Sequence, residues 1–306
     1  MNRRTFLASS SAIGAAASMG IASSDTSRPI KKRESKLFTM KFAPHFGMFN
    51  HHAGDDLIAQ LEFAADAGFL AWEDNSMGGR PVEEQAKIAK AMERLELEMG
   101  VFVVNMSTAW SASFSKNNAD DREKFLSEVR GSAETAKRVN AKWATVVLGT
   151  RHPRIDLTFQ TAYAIDSLRR ACDILEPQGL TMVLEPLNPR DHPNMLLSEM
   201  GHAYEICKAV DSPSCKILDD LYHQQVTEGN LIPNIDRAWE EIAYFQIGDN
   251  PGRREPTTGE INYLNVFAHI KSKGYTGILG MEHGISVGGK AGEQQLIEAY
   301  RASDPN

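Results

Sequence analysis

Cysteine is scarce: Cys172, Cys207 and Cys215 are the only three in 306 residues. That excludes a disulfide framework. Cys172 and Cys207 fall in helix-like segments and Cys215 opens an apolar run, so all three read as small buried apolar side chains. Basic charge is also lacking. Lys and Arg number 33 against 40 Asp and Glu, for a formal charge of −7. No basic stripe of the kind that binds nucleic acid is present. Residues 1–22 contain Arg3 and Arg4 and no acid, so removing them would bring the charge to −9. The first strand candidate runs into Pro44-His45-Phe46-Gly47-Met48. It therefore lacks the Gly-rich phosphate turn that a doubly wound open sheet usually shows there. No internal repeat beyond the strand–helix period is visible.

What is there begins with Asn2-Arg3-Arg4-Thr5-Phe6-Leu7, followed by a small apolar run to Ile21 and a cleavage-like Gly20-Ile21-Ala22. Paired arginines before a short apolar stretch predict a twin-arginine signal peptide over 1–22. The expected partner is the twin-arginine export machinery, and the expected location is periplasmic or otherwise exported. A retained membrane tether is the alternative, although the run is short and rich in Ser, Ala and Gly for a span. That route carries folded proteins, which suits a chain that takes up metal before export. Residues 23–36, with Lys31-Lys32-Arg33 and little apolar content, predict a flexible linker.

From Leu37 to the C-terminus one pattern repeats. Apolar runs near Met40–His45, Phe69–Glu73, Gly100–Asn105 and Trp143–Gly149 are followed by four more, beginning at Leu180, Cys215, Ile242 and Gly277. Amphipathic stretches separate them: Asp55–Ala67, Val82–Met99, Arg122–Asn140, Leu157–Gln178, Ser198–Val210, Asn230–Glu241, Leu264–Lys273 and Glu293–Arg301. Strands alternating with helices imply a parallel sheet. Eight such units predict a single-domain (β/α)8 TIM barrel over 37–306, at about 31 residues per unit.

The last four runs end in groups that bind hard cations. They stop at Glu185, at the pair Asp219-Asp220, at Gln246 and at Glu282. The gaps from Glu185 through Asp220 and Gln246 to Glu282 are 35, 26 and 36 residues, close to the barrel period. Barrel enzymes carry their chemistry at the C-terminal ends of strands. Any one of these acids alone reads equally well as a solvated strand end. Together they would set like charges at one mouth, which is costly unless a cation compensates. Oxygen donors favour Mg²⁺ or Mn²⁺, with Co²⁺ and Zn²⁺ as alternatives. Spacing leaves Asp219 and Asp220 unresolved, since neighbouring strand residues face opposite ways.

His223, three residues past Asp220, reads as a helix cap or as a donor to a substrate oxygen. Arg253 or Arg254, in a polar loop from Ile247 to Tyr263, offers a planar fork for a carboxylate or hydroxyl. In the same loop Glu260 is a pocket candidate that weighs more as the start of the next helix. Asn105, Trp110, Trp72-Glu73 and His51-His52 follow early strands, as pocket walls or as core edge and loop. By alternation His283 should face away from the mouth. Lys216 fits no simple apolar strand.

Several segments resemble the hydroxypyruvate isomerase group of the xylose isomerase-like barrels of sugar isomerases and epimerases. They are Val183-Leu184-Glu185-Pro186-Leu187-Asn188, Asp220-Leu221-Tyr222-His223, Gln246 to Arg253, Gly259 to Tyr263 and Met281-Glu282-His283. The resemblance covers about Met40 to the C-terminus. It implies metal ligands Glu185, Asp220, Gln246 and Glu282, with Asp220 chosen because the group's Asp lies three residues before a His. It also implies the glutamates as the acid/base pair and His223 and Arg253 as substrate contacts. Gln246 stands where ketose 3-epimerases usually carry His. The leader sets this chain apart from the cytoplasmic look of that group.

The activity this implies is a metal-dependent, aldose–ketose type isomerisation of a small 2-keto or aldehyde hydroxy compound. A glutamate would remove the proton α to the carbonyl, through a metal-bound enediolate, and either glutamate could begin. Rivals on the same site are a ketose 3-epimerase and a keto-glycoside lyase. A nuclease would want more His ligands and a basic groove. The non-enzymatic rival is an exported sugar-binding protein, which generally has two lobes. A homo-oligomer is an expectation of the resemblance alone.

Overall fold

A short apolar strand followed by an amphipathic helix buries one strand face against the helices and the other inside a closed ring. The computed structural model describes residues 37–305. Its strands are β1 (Lys41–Ala43), β2 (Ala71–Trp72), β3 (Glu98–Met99), β4 (Trp143–Val146), β5 (Thr181–Leu184), β6 (Cys215–Asp220), β7 (Ile242–Gln246) and β8 (Ile278–Gly280). The α-helices are α1 (Asn50–Ala53), α2 (Leu57–Asp66), α3 (Val82–Arg94), α4 (Ala119–Val139), α5 (Leu157–Leu175), α6 (Met200–Val210), α7 (Leu221–Thr227), α8 (Leu231–Ala238), α9 (Tyr263–Ser272) and α10 (Gly289–Ser303).

Strands pair in parallel in the order β1-β8-β7-β6-β5-β4, with β2-β3 as a second parallel pair. Single bridges, His45 to Glu73 and Val103 to Thr145, join the two sets. They are carried by Glu73 N–H to Pro44 C=O at 2.9 Å and Thr145 N–H to Phe102 C=O at 2.8 Å. The ring closes into the (β/α)8 barrel expected from the sequence. The expected signal peptide 1–22 and linker 23–36 lie outside the described residues. Among the described residues no helix is long and apolar enough to cross a membrane.

Local chemistry explains the helices. Asn118 caps α4 by accepting from Asp121 N–H at 2.9 Å. Asp120 and Asp121 sit in its first turn, Lys137 and Arg138 in its last, and Asn140 ends it in the left-handed region. Phe125, Val129, Ala133, Ala136 and Val139 form its buried stripe.

One boundary differs from expectation. The helix expected over Val82–Met99 ends at Arg94, and β3 begins at Glu98 rather than Gly100. Glu96 takes a left-handed φ of 55°, and Leu97 N–H turns back to Met92 C=O at 2.9 Å. That Schellman-type end frees Glu98 and Met99 to pair with β2. Lys216 is also accounted for, since its ammonium donates to Glu241 at 2.6 Å ahead of β7.

His283 faces outward, as alternation required. Its Nε2 meets the Tyr300 hydroxyl and its Nδ1 the Gly284 carbonyl, each at 2.8 Å. Burial pushes this imidazole down to about 3. The unfolded chain therefore binds its proton first, and stability falls as pH drops below about 6.5. By pH 5 this one group is expected to cost about 2 kcal/mol. Melting temperature measured from pH 7 to 5 should drop by several degrees, and His283→Gln should remove that part of the slope. An unchanged slope in the variant would contradict the assignment.

Candidate active site

One interior layer organises the barrel mouth. Ala43, Ala71, Val101, Val183, Leu218, Tyr244 and Ile278 pack together inside the ring. Two residues further along the same face come Glu73, Glu185, Asp220, Gln246 and Gly280. Alternation thus turns Asp220 inward with Leu218 and sends Asp219 to the helix side, where both its carboxyl oxygens are buried without a partner.

Asp220 ends β6 and caps α7. Its Oδ1 accepts from Tyr222 N–H at 2.8 Å and His223 N–H at 3.3 Å. Its Oδ2 remains for the mouth. The cap places His223 one turn on, with Nε2 3.7 Å from both Glu185 Oε1 and Asp220 Oδ2. Glu185, Asp220 and His223 each offer a potential ligand atom within 4.8 Å of the other two.

The tautomer decides the role of His223. Asn188 Oδ1 accepts from Arg190 and Asp191 N–H, so its Nδ2 faces His223 Nδ1 at 2.6 Å. Asn188 N–H also donates to that Nδ1, at 3.2 Å. Nδ1 is therefore an acceptor, and Nε2 carries the proton. Burial holds the imidazole down at about 4, hence neutral. Its Nε2–H is a donor aimed between two acids, not a free ligand nitrogen.

Arg253 stands opposite. Its Nη2 donates to Asp220 Oδ2 at 2.7 Å and Glu282 Oε2 at 3.1 Å, and the guanidinium lies over the Tyr222 ring. Its Nε is buried without a partner. Glu282 Oε1 accepts from Asn75 Nδ2 at 3.0 Å. Burial pushes the Glu282 carboxyl up to about 7, with Arg253 pulling it down and Asp220 pushing it up. Burial, then the charges of Glu282 and Asp220, raise Glu185 well above the usual carboxylate range.

Gln246 completes the set from β7. Its Nε2 donates to Glu73 Oε1 at 2.7 Å, while its Oε1 is buried without a partner. An orphaned buried carbonyl costs about 1–3 kcal/mol. Acids raised by burial and by one another's charge, beside an unpaired hard oxygen, suit a divalent cation. The residues fit one.

The wall beyond is aromatic. Exposed Trp110 stacks on His192, whose ring meets His223 edge-on at 5.4 Å. Tyr222 hydroxyl donates to Asp191 at 2.7 Å. Two pocket candidates do other work. Asn105 spends its amide on Val147, donating to the carbonyl at 2.8 Å and accepting from N–H at 3.2 Å, and so ties the segment that follows β3 to the end of β4. Exposed Glu260 accepts from Asn250 Nδ2 at 2.6 Å and Gln225 Nε2 at 3.2 Å. Asn262, not Glu260, caps α9.

Glu73 had only weak standing in the sequence, as one strand-end acid among several. Asn75, Asn188, Asp191, Tyr222 and His192 carried no strand-end signal, since they lie on loops or at a helix start.

Residues 61–303 match a family model described as xylose isomerase-like TIM barrel. The chain is 30% identical over 251 residues to the 2-oxo-tetronate isomerase of Pectobacterium atrosepticum, covering 79% of this chain and 91% of that protein. It is 29% identical over 231 residues to the hydroxypyruvate isomerase of Escherichia coli, covering 74% and 88%. The solved 3-keto-D-glucoside 4-epimerase of E. coli superposes with a TM-score of 0.70 at 18% identity, covering 86% of this chain and 98% of that one, which shows the fold.

Proposed function

The chain belongs to the xylose isomerase-like TIM barrel family, and from that premise we propose that it is a metal-dependent aldose–ketose type isomerase. The compounds named for its relatives, hydroxypyruvate and 2-oxo-tetronate, are the chemical models for its substrate. The observation that carries the reading is the pair of raised carboxyls, Glu185 and Glu282, facing one mouth across a neutral His223 and a charged Arg253.

Carboxylates facing the mouth are the groups there that can take up and return a proton. One glutamate takes the proton α to the substrate carbonyl. That glutamate or its partner returns a proton to the adjacent carbon while the hydroxyl proton passes to the former carbonyl oxygen, and aldehyde and ketone exchange places. His223 Nε2–H donates to a substrate oxygen. Arg253, with its Nε unpartnered, holds a substrate carboxylate or hydroxyl. The residues that would hold a divalent cation, Mg²⁺ or Mn²⁺, are Glu185, Asp220, Gln246 and Glu282. When bound, the cation supplies positive charge where the enediolate develops negative charge.

Because Glu185 and Glu282, both held above the usual carboxylate range, must give up protons to serve as ligands, affinity for Mg²⁺ should rise with pH. Calorimetric titration between pH 5.5 and 8.5 checks this, and a flat profile would contradict it. The reaction is tested with metal-loaded protein in deuterium oxide, against a panel of 2-keto acids, ketoses and keto-glycosides followed by NMR. Expected is deuterium at the substrate α-carbon with formation of the positional isomer. Inversion at C3 alone would make it an epimerase, and no incorporation from any member would overturn proton transfer. The proposal includes export by the paired-arginine leader. Arg3→Lys with Arg4→Lys should then hold the protein in the cytoplasm, and unchanged export would contradict it.

A further inference from the structure

We infer that Glu73 is a positioning residue that decides which end of the Gln246 amide faces the acids of the mouth; this rests on the metal reading above. A side-chain amide has a donor end and an acceptor end of nearly the same shape. A cation takes only the oxygen. Left alone, Gln246 could present either.

Glu73 removes that freedom. It immediately follows β2 and is 2% exposed. Its Oε1 accepts from Gln246 Nε2 at 2.7 Å and its Oε2 from Tyr244 hydroxyl at 2.9 Å. With both oxygens pinned, the carboxyl cannot swing aside. It consumes the nitrogen of Gln246 and leaves the oxygen buried and unpaired. The backbone of β8 makes room for this. A Cβ built on Gly280 would lie 1.8 Å from Glu73 Oε2 and 3.1 Å from Gln246 Cγ. Any side chain there would displace the carboxyl. Glu73 reaches no substrate in this arrangement and acts only through Gln246.

The test is Mn²⁺ affinity of metal-stripped protein, read from the electron paramagnetic resonance signal of free Mn²⁺. Wild type should bind one Mn²⁺ per chain. E73Q gives Gln246 a partner that both donates and accepts, and should weaken binding about 10- to 100-fold, the usual effect of losing such support. Y244F removes the other bond to Glu73 but spares the one to Gln246, and should weaken binding clearly less than E73Q. The exchange E73Q/Q246E should recover most of the affinity, because a carboxylate at 246 presents oxygen either way. Equal affinity in E73Q and wild type overturns the inference, as does equal damage from Y244F, which would mean packing alone. No binding by wild type overturns the metal reading first. Should E73Q fail to fold, wild type supplies the answer by NMR. On adding Mg²⁺ the Gln246 Cδ signal should shift while its amide protons stay protected. Amide protons that exchange freely would overturn the inference.

Discussion

Glutamine at either Glu185 or Glu282 is expected to stop substrate α-proton exchange, lowering turnover by about 10²- to 10⁴-fold, the range for loss of a general base. Glutamine keeps the shape of each side chain and cannot take up a proton in the same way. The effect on stability should run the other way. Burial and neighbouring acids disfavour the charged form of Glu185, so a neutral amide relieves repulsion in the metal-free protein. Metal-stripped Glu185→Gln should melt no lower than wild type while its activity is gone. Deuterium exchange and thermal melting on the same preparation check both halves. Exchange surviving in both variants would remove proton transfer by these residues.

Asp220→Asn is expected to have the second large effect. Asparagine caps helices about as well as aspartate, so the bonds from Tyr222 and His223 N–H to this position survive. The charge does not. Arg253 loses a partner at 2.7 Å, and the mouth loses one of its inward acids. A cation site is worth several kcal/mol of charge stabilisation, and activity should fall about 10²- to 10³-fold. The melting temperature should move by only a few degrees. Near-wild-type turnover from this variant would show that Asp220 holds nothing the reaction needs.

Much of this arrangement was legible in the chain. Apolar runs at the barrel period marked the strands because each barrel strand is buried on both faces. Their terminal polar groups marked the mouth because strand ends point there. Asp220 could be separated from Asp219 only by resemblance. The structure supplies the physical reason, the inward layer at Leu218 two residues before it.

What stayed hidden was short or irregular. β2 has two residues, too few to display alternation, so Glu73 carried no inward signature. β3 was displaced because Glu96 turns left-handed, which a helical pattern of apolar residues does not announce. Asn105 and Glu260 looked like pocket residues by position. Their hydrogen bonds go instead to the Val147 backbone and to loop amides. The tautomer of His223 depends on Asn188, 35 residues away in sequence, and no local pattern links them.

The central claim is a single divalent cation shared by residues from four successive strands. Anomalous diffraction from crystals soaked in Mn²⁺ tests it most directly. The account predicts one strong peak per chain, in contact with oxygens of Glu185, Asp220, Gln246 and Glu282, with the ring nitrogens of His223 outside the coordination shell. A peak held instead by Glu185, Asp220 and the His223 ring, or no peak at the mouth at all, would contradict it.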